Sequence, residues 1–105
     1  MYSDIFNFYE ILKEISMTKN RKMKKKLIDK LKNDKNHRAL REICINYLEG
    51  NIKKHKKLEK YRNIMKQICE QKINKNMREK IYIQKGGFIG ALLPVLASVL
   101  VSALK

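Results

Sequence analysis

The sequence predicts an all-α protein: a small basic helical bundle containing an antiparallel helix hairpin, followed by a separable apolar C-terminal helix. Three observations carry that expectation. Apolar residues recur at three- and four-residue steps through most of the chain, and no run alternates in the two-residue period of a half-buried strand. Gly50 ends one such pattern just before the next begins. Charge then stops abruptly at Gly86-Gly87: Phe88 to Leu104 is a 17-residue stretch with no charged side chain.

The first helix is marked by Ile5, Phe8, Leu12 and Ile15, with Tyr9 and Ile11 beside that stripe. Ser3 is its expected cap, and Asp4 suits the positive end of the helix. A cationic block, KNRKMKKK at 19–26, leads into a second pattern formed by Met23, Leu27 and Leu31, which NDKN at 33–36 is expected to break. The third pattern places Leu40, Ile43, Cys44, Tyr47 and Leu48 on one face and stops at Gly50, suited to a left-handed cap.

A fourth helix is expected from about Lys54 to Lys72, with Leu58, Tyr61, Met65 and Ile68 inward and Ile64 and Cys69 alongside. The short turn makes helices three and four an antiparallel hairpin. Its register sets Cys44 beside Leu58 and Cys69 beyond the start of helix three, so both thiols read as small core residues. A fifth, shorter helix follows over INKNMREKIYI, capped by Asn74 or Asn76, with Met77 and Ile81 facing the hairpin, and ends at Lys85-Gly86-Gly87. Three regions result: 1–36, amphipathic and basic helices; 37–85, the basic hairpin module; 86–105, a Gly-Gly hinge and apolar segment.

The tail would span only ~25 Å as one helix, short of a ~30 Å hydrocarbon core. Pro94 is expected to kink it or to start a new helix. Its packing or membrane face consists of Phe88, Ile89, Leu92, Leu93, Leu96, Val99 and Leu100, with Val95 among the large residues; Ala91, Ser98 and Ser102 form a small-residue strip. Such a segment can bury itself in protein, in a bilayer or in copies of itself.

The net charge is +15, from 25 Lys and Arg against 10 Asp and Glu; all ten acids precede Gly86, so residues 1–87 carry +14. That imbalance points to a polyanion: nucleic acid, anionic lipid or an acidic protein surface. Lys19, Arg21, Lys22, Lys24, Lys25 and Lys26 form one candidate phosphate-binding cluster, and Lys53, Lys54, Lys56 and Lys57 a second. Twenty of the 25 cations are lysine, which suits diffuse neutralisation better than base reading, where arginine's fork is preferred. No cofactor is expected. The carboxylates are scattered, no nucleophile–base pattern appears, and Cys44, Cys69, His37 and His55 have no metal-ligand spacing, so the reading is non-enzymatic. The N-terminus lacks the basic and continuous apolar regions of a secretory signal, and a reducing compartment is expected.

From about Leu40 the order YLEGNI, KKLEKYRNIMKQI, KNMREKIYIQ and GGFIGALLPVLASVL resembles the small basic proteins of adintoviruses and Polinton or Maverick elements, which are compared with the core protein X of adenoviruses. Here Lys53-Lys54-His55 follows Gly50-Asn51-Ile52, where the relatives often carry a Pro-Leu-Ser type of cap, and X itself is richer in arginine. The resemblance implies sequence-independent binding and condensation of duplex DNA, in a virion interior or host nucleus. It also implies a viral cysteine maturation protease as partner: Gln84-Lys85-Gly86-Gly87 before Phe88 fits the pattern such proteases cut. The alternative is a tail-anchored or membrane-disrupting protein at an anionic membrane, whose tail self-associates or inserts while the lysines bind lipid.

Overall fold

The structure, a computed structural model, describes residues 2–70, 73–84 and 86–104. Among them are seven α-helices and no strand: α1 Tyr2–Met17, α2 Arg21–Leu31, α3 Asp34–Leu48, α4 Lys56–Glu59, α5 Arg62–Cys69, α6 Lys75–Gln84 and α7 Gly86–Leu104. The expected helix ends at Lys72 and Lys85 lie outside the described residues.

The apolar stripe of α1 is buried as its spacing requires, with Phe8 and Leu12 fully enclosed and Ile5 and Ile15 nearly so. Helix α1 is described from Tyr2, which puts the Ser3 backbone within its first turn. Asn20 caps α2, accepting from the backbone N–H groups of Lys22 at 2.9 Å and Met23 at 3.2 Å. Leu27, Ile28 and Leu31 anchor α2, whereas Met23 faces solvent.

The second helix breaks where expected: α2 ends at Leu31, Asn33 is extended, and Asp34 already opens α3. Asn33 caps α3, its Oδ1 accepting from Asn36 N–H at 2.8 Å, while the buried Asn36 side chain donates to the Lys30 carbonyl at 2.8 Å. The polar residues that read as a break are therefore the cap and first turn of the next helix. The boundary placed after Asn36 lies inside α3.

Helix α3 ends as expected at Gly50, whose φ of 85° is left-handed. The helix expected over 54–72 is instead split into α4 and α5, with Tyr61 at φ −108°, ψ 18° between them. The reason is tertiary. The buried Tyr47 hydroxyl accepts from His55 N–H at 3.1 Å and donates to Glu59 at 2.6 Å, holding the chain entering α4 against α3. At the other end Arg41 donates to the Cys69 carbonyl at 3.2 Å. Because α3 starts as early as Asp34, Cys69 lies alongside this helix and not beyond its start. Both cysteines are free thiols; Cys44 is buried in the core and Cys69 half-buried.

Asn74, of the two candidates, caps α6, accepting from Met77 N–H at 2.9 Å. Ile81 is half-buried against the core as expected, but Met77 is exposed and Tyr82 is buried, so the inward face of α6 is shifted from the expected one. The axes of Asn76–Ile83 and Gly87–Val101 meet at 88°. Helix α7 runs through Pro94, which faces solvent and starts no new helix.

One core unites these elements. Phe88, Ile89, Ala91, Leu92, Val95 and Leu96 of α7 join the stripes of α1, α3 and α5 within it, and α7 packs principally on α1. Dry side-chain packing of this kind, with transfer from water worth ~25 cal/mol per Å² of apolar area, supplies the main force holding so cationic a chain together.

Candidate nucleic-acid interface

The first candidate cluster occupies the loop before α2 and its first two turns. Lys19, Arg21, Lys22, Lys24, Lys25 and Lys26 are all exposed, and α2's first turn contains no acid. Asn20 secures the helix start, and Leu27, Ile28 and Leu31 pin its far half to the core, so the cations stand on a fixed scaffold. Cations at a helix N-terminus oppose the macrodipole by typically ~0.3–1 kcal/mol each. An anion placed there would relieve that repulsion.

The second cluster, Lys53, Lys54, Lys56 and Lys57, is also exposed, in the connection after α3 and the start of α4. Its position is set by Tyr47 and Glu59. The Tyr47 hydroxyl, followed by Arg62 at 3.0 Å, holds the Glu59 carboxyl below the usual carboxylate range, with Lys54 adding its field. Burial first, then the bond to Glu59, pushes the Tyr47 phenol up. Helix α2 packs on α1, α3 and α6, whereas α4 packs on α7, so the two clusters rest on different parts of the bundle.

The ion pairs of the described residues join Asp29 and Glu79 to Lys32, Asp4 to Lys35, Glu59 to Arg62 and Asp34 to Arg78. None involves a cation of either candidate cluster. Five of the ten acids are thus taken up by other cations, and none of those pairs compensates a cation of either cluster at contact distance. Sequence reasoning missed this division, since Lys32 and Arg78 meet acids more than forty residues away.

The tail candidates are divided by burial. Phe88, Ile89, Leu92 and Leu96 are buried, and Leu93, Val99 and Leu100 are half-buried against the core; Gly90, Pro94, Ser98 and Val101 are exposed. Ala91 is buried and Ser98 exposed, so the described part of the small-residue strip does not lie on one common surface. Among the described residues no single helix is long and apolar enough to cross a membrane; only the bent pair Asn76–Ile83 and Gly87–Val101 reaches that length and composition together.

At the Gly-Gly join, Gln84 is the last residue of α6, and Gly86 and Gly87 form the first turn of α7, with Phe88 fully buried. A Cβ at Gly87 would overlap the Tyr61 hydroxyl. The Tyr61 and Phe88 rings lie 5.5 Å apart at 48°, a tilted aromatic pair. Glycine at 87 therefore provides room for Tyr61 at the break between α4 and α5. A protease needs extended backbone, so cutting after Gly87 requires this first turn to open.

His37 is buried on α3 with Nδ1 unpartnered; burial, then the positive fields of Arg78 and Arg41, lower its pKa to about 4. The described residues contain no His, Cys, Asp or Glu group arranged to hold a metal ion. Comparison of the chain with protein-family models, with curated proteins and with solved structures gave no match.

Proposed function

We propose that the protein is a non-enzymatic, virus-type core protein that binds and condenses duplex DNA without reading its sequence. The observation that carries this reading is the α2 cluster: six exposed cations within eight residues, outside the ion pairs of the described residues, gathered at the positive end of a helix. The second cluster, on a basic hairpin module formed by α3 with α4 and α5, gives a further point of phosphate contact. With extents of 35 × 29 × 25 Å, the molecule matches about one turn of duplex. One chain can thus neutralise several phosphates and draw neighbouring duplex segments together. The resemblance to adintovirus and Polinton proteins favours the same reading, and with it a virion interior or nucleus as the proposed location.

In this proposal α7 is a packing helix that completes the basic module's core and becomes separable when its first turn opens. Maturation cleavage after Gly87 would act on that opened form, releasing an apolar peptide able to associate with itself or with a membrane. Burial of Phe88, Leu92 and Leu96 favours packing as the resting role.

Fluorescence anisotropy of the full chain on labelled duplexes of unrelated sequence tests the proposal. If six phosphates are neutralised, log affinity falls by ~5 per decade of salt. The affinities for different sequences should agree within a few-fold. A flat salt response, or a preference of about a hundredfold for one sequence, overturns it.

A further inference from the structure

Where α2 lies against α6, the surface sinks into a hollow of ≈ 290 Å³ bordered by Arg21, Lys24 and Lys25, with Ile28, Glu79 and Ile83 completing its lining. A second hollow of ≈ 290 Å³ adjoins it, bounded by Asn76, Glu79, Lys80 and Ile83. Ile83 belongs to both and is 58% exposed, so the two hollows share an accessible aliphatic wall amid cations. Glu79, the acid at their junction, is engaged by Lys32 at 3.4 Å, so its charge is offset from within the protein.

We infer that these adjoining hollows dock an acidic amphipathic helix of a partner protein, with apolar side chains entering beside Ile83 and carboxylates meeting Arg21, Lys24, Lys25 and Lys80. Charge complementarity selects the occupant's sign, and the aliphatic lining selects its apolar anchors. A second copy of this chain would bring its own +15 against the same cations. Nucleobases find no aromatic platform among the lining residues. A flat bilayer does not fill recessed surface, whereas a side chain projecting from a helix does. This inference goes beyond DNA binding, although it shares the α2 cations; an acidic helix seated here would displace DNA from that cluster.

The test uses full-length protein and a labelled peptide of about 16 residues, long enough to hold a helix, with leucines at i, i+3, i+4 and i+7 in a Glu- and Asp-rich background. A scrambled peptide of the same composition, duplex DNA, and phosphatidylserine–phosphatidylcholine vesicles serve as the other probes. The patterned peptide should bind about tenfold more tightly than the scrambled one and compete with DNA. Ile83→Ser, which removes the aliphatic wall without adding charge beside the cations, should remove about tenfold of peptide affinity while leaving DNA affinity within about twofold. Lys24→Gln with Lys25→Gln should weaken both ligands. Thermal melts establish that these surface variants remain folded. Equal binding of the two peptides, no effect of Ile83→Ser on the patterned peptide, or Ile83-dependent binding to vesicles in place of the peptide overturns the inference. Failure of DNA binding alone refutes the condensation reading and leaves the peptide result to be judged separately.

Discussion

Replacing Gly87 by alanine isolates the contact that joins α7 to the α4–α5 break. The new methyl group would overlap the Tyr61 hydroxyl, the terminal atom of a ring already paired with Phe88 at 5.5 Å. Relief requires Tyr61 to swing aside or α7 to lift. Overpacking costs ~1–3 kcal/mol, and disturbing the aromatic pair adds ~0.5–1.5 kcal/mol. Alanine's helix propensity offsets up to ~1 kcal/mol. The net expectation is a loss of about 0.5–3.5 kcal/mol, or roughly 2–28 °C in Tm for a domain of this size. The decisive comparison is made in a Tyr61→Phe background. Without the hydroxyl, the nearest Tyr61 atom to the added Cβ is Cζ at 3.6 Å, an ordinary van der Waals distance. Gly87→Ala should then be neutral or stabilising by up to ~1 kcal/mol. Urea unfolding of the four proteins closes this double-mutant cycle. Equal effects of Gly87→Ala in both backgrounds would refute the steric account and return Gly87 to the role of a simple hinge.

Two further perturbations probe the core. Leu58→Asp should cost ~3 kcal/mol or more, because it places a charge at a fully buried position, whereas exposed Lys56→Glu should scarcely alter thermal unfolding; equal losses would contradict the burial pattern. For His37, the folded pKa of about 4 lies below the ordinary 6.5, so the unfolded chain binds its proton first. Its contribution is fully present above pH 6.5 and is lost as pH falls toward 4. Allowing for solvent screening, that contribution is ~1–2 kcal/mol. His37→Gln should flatten this part of the stability profile relative to the unsubstituted protein; identical profiles would falsify the assignment.

Local order was legible wherever the controlling residues are neighbours in sequence. The stripe from Ile5 to Ile15 identified the buried face of α1, the Leu40–Leu48 pattern that of α3, Gly50 its left-handed end, and the pair Asn74 and Asn76 the start of α6 to within a residue or two. Each is governed by helical spacing or by a hydrogen bond within one turn. The candidate cations were equally plain as charge runs, and their exposure follows from the cost of dehydrating a lysine ammonium. The polar run NDKN was legible as a break, but not that it would also cap and open the next helix, because the same Asn and Asp chemistry serves turns and caps. Met23 and Met77 were assigned inward by periodicity, but the phase of each face is fixed by neighbouring helices, and both are exposed. Only tertiary structure decided that a helix would break at Tyr61, that Gly87 would make room for that ring, that Lys32 and Arg78 would take the acids, and that Ile83 would lie between two cation-bordered hollows. These outcomes depend on contacts between residues from 8 to 62 positions apart, most of them on different helices, and one-dimensional spacing carries no information about where those helices cross. The sequence also defined the apolar segment after Gly86 through its charge boundary. Its place in the core depended on α1, whose complementary stripe buries Phe88, Leu92 and Leu96 by the same removal of apolar surface from water that holds the bundle together.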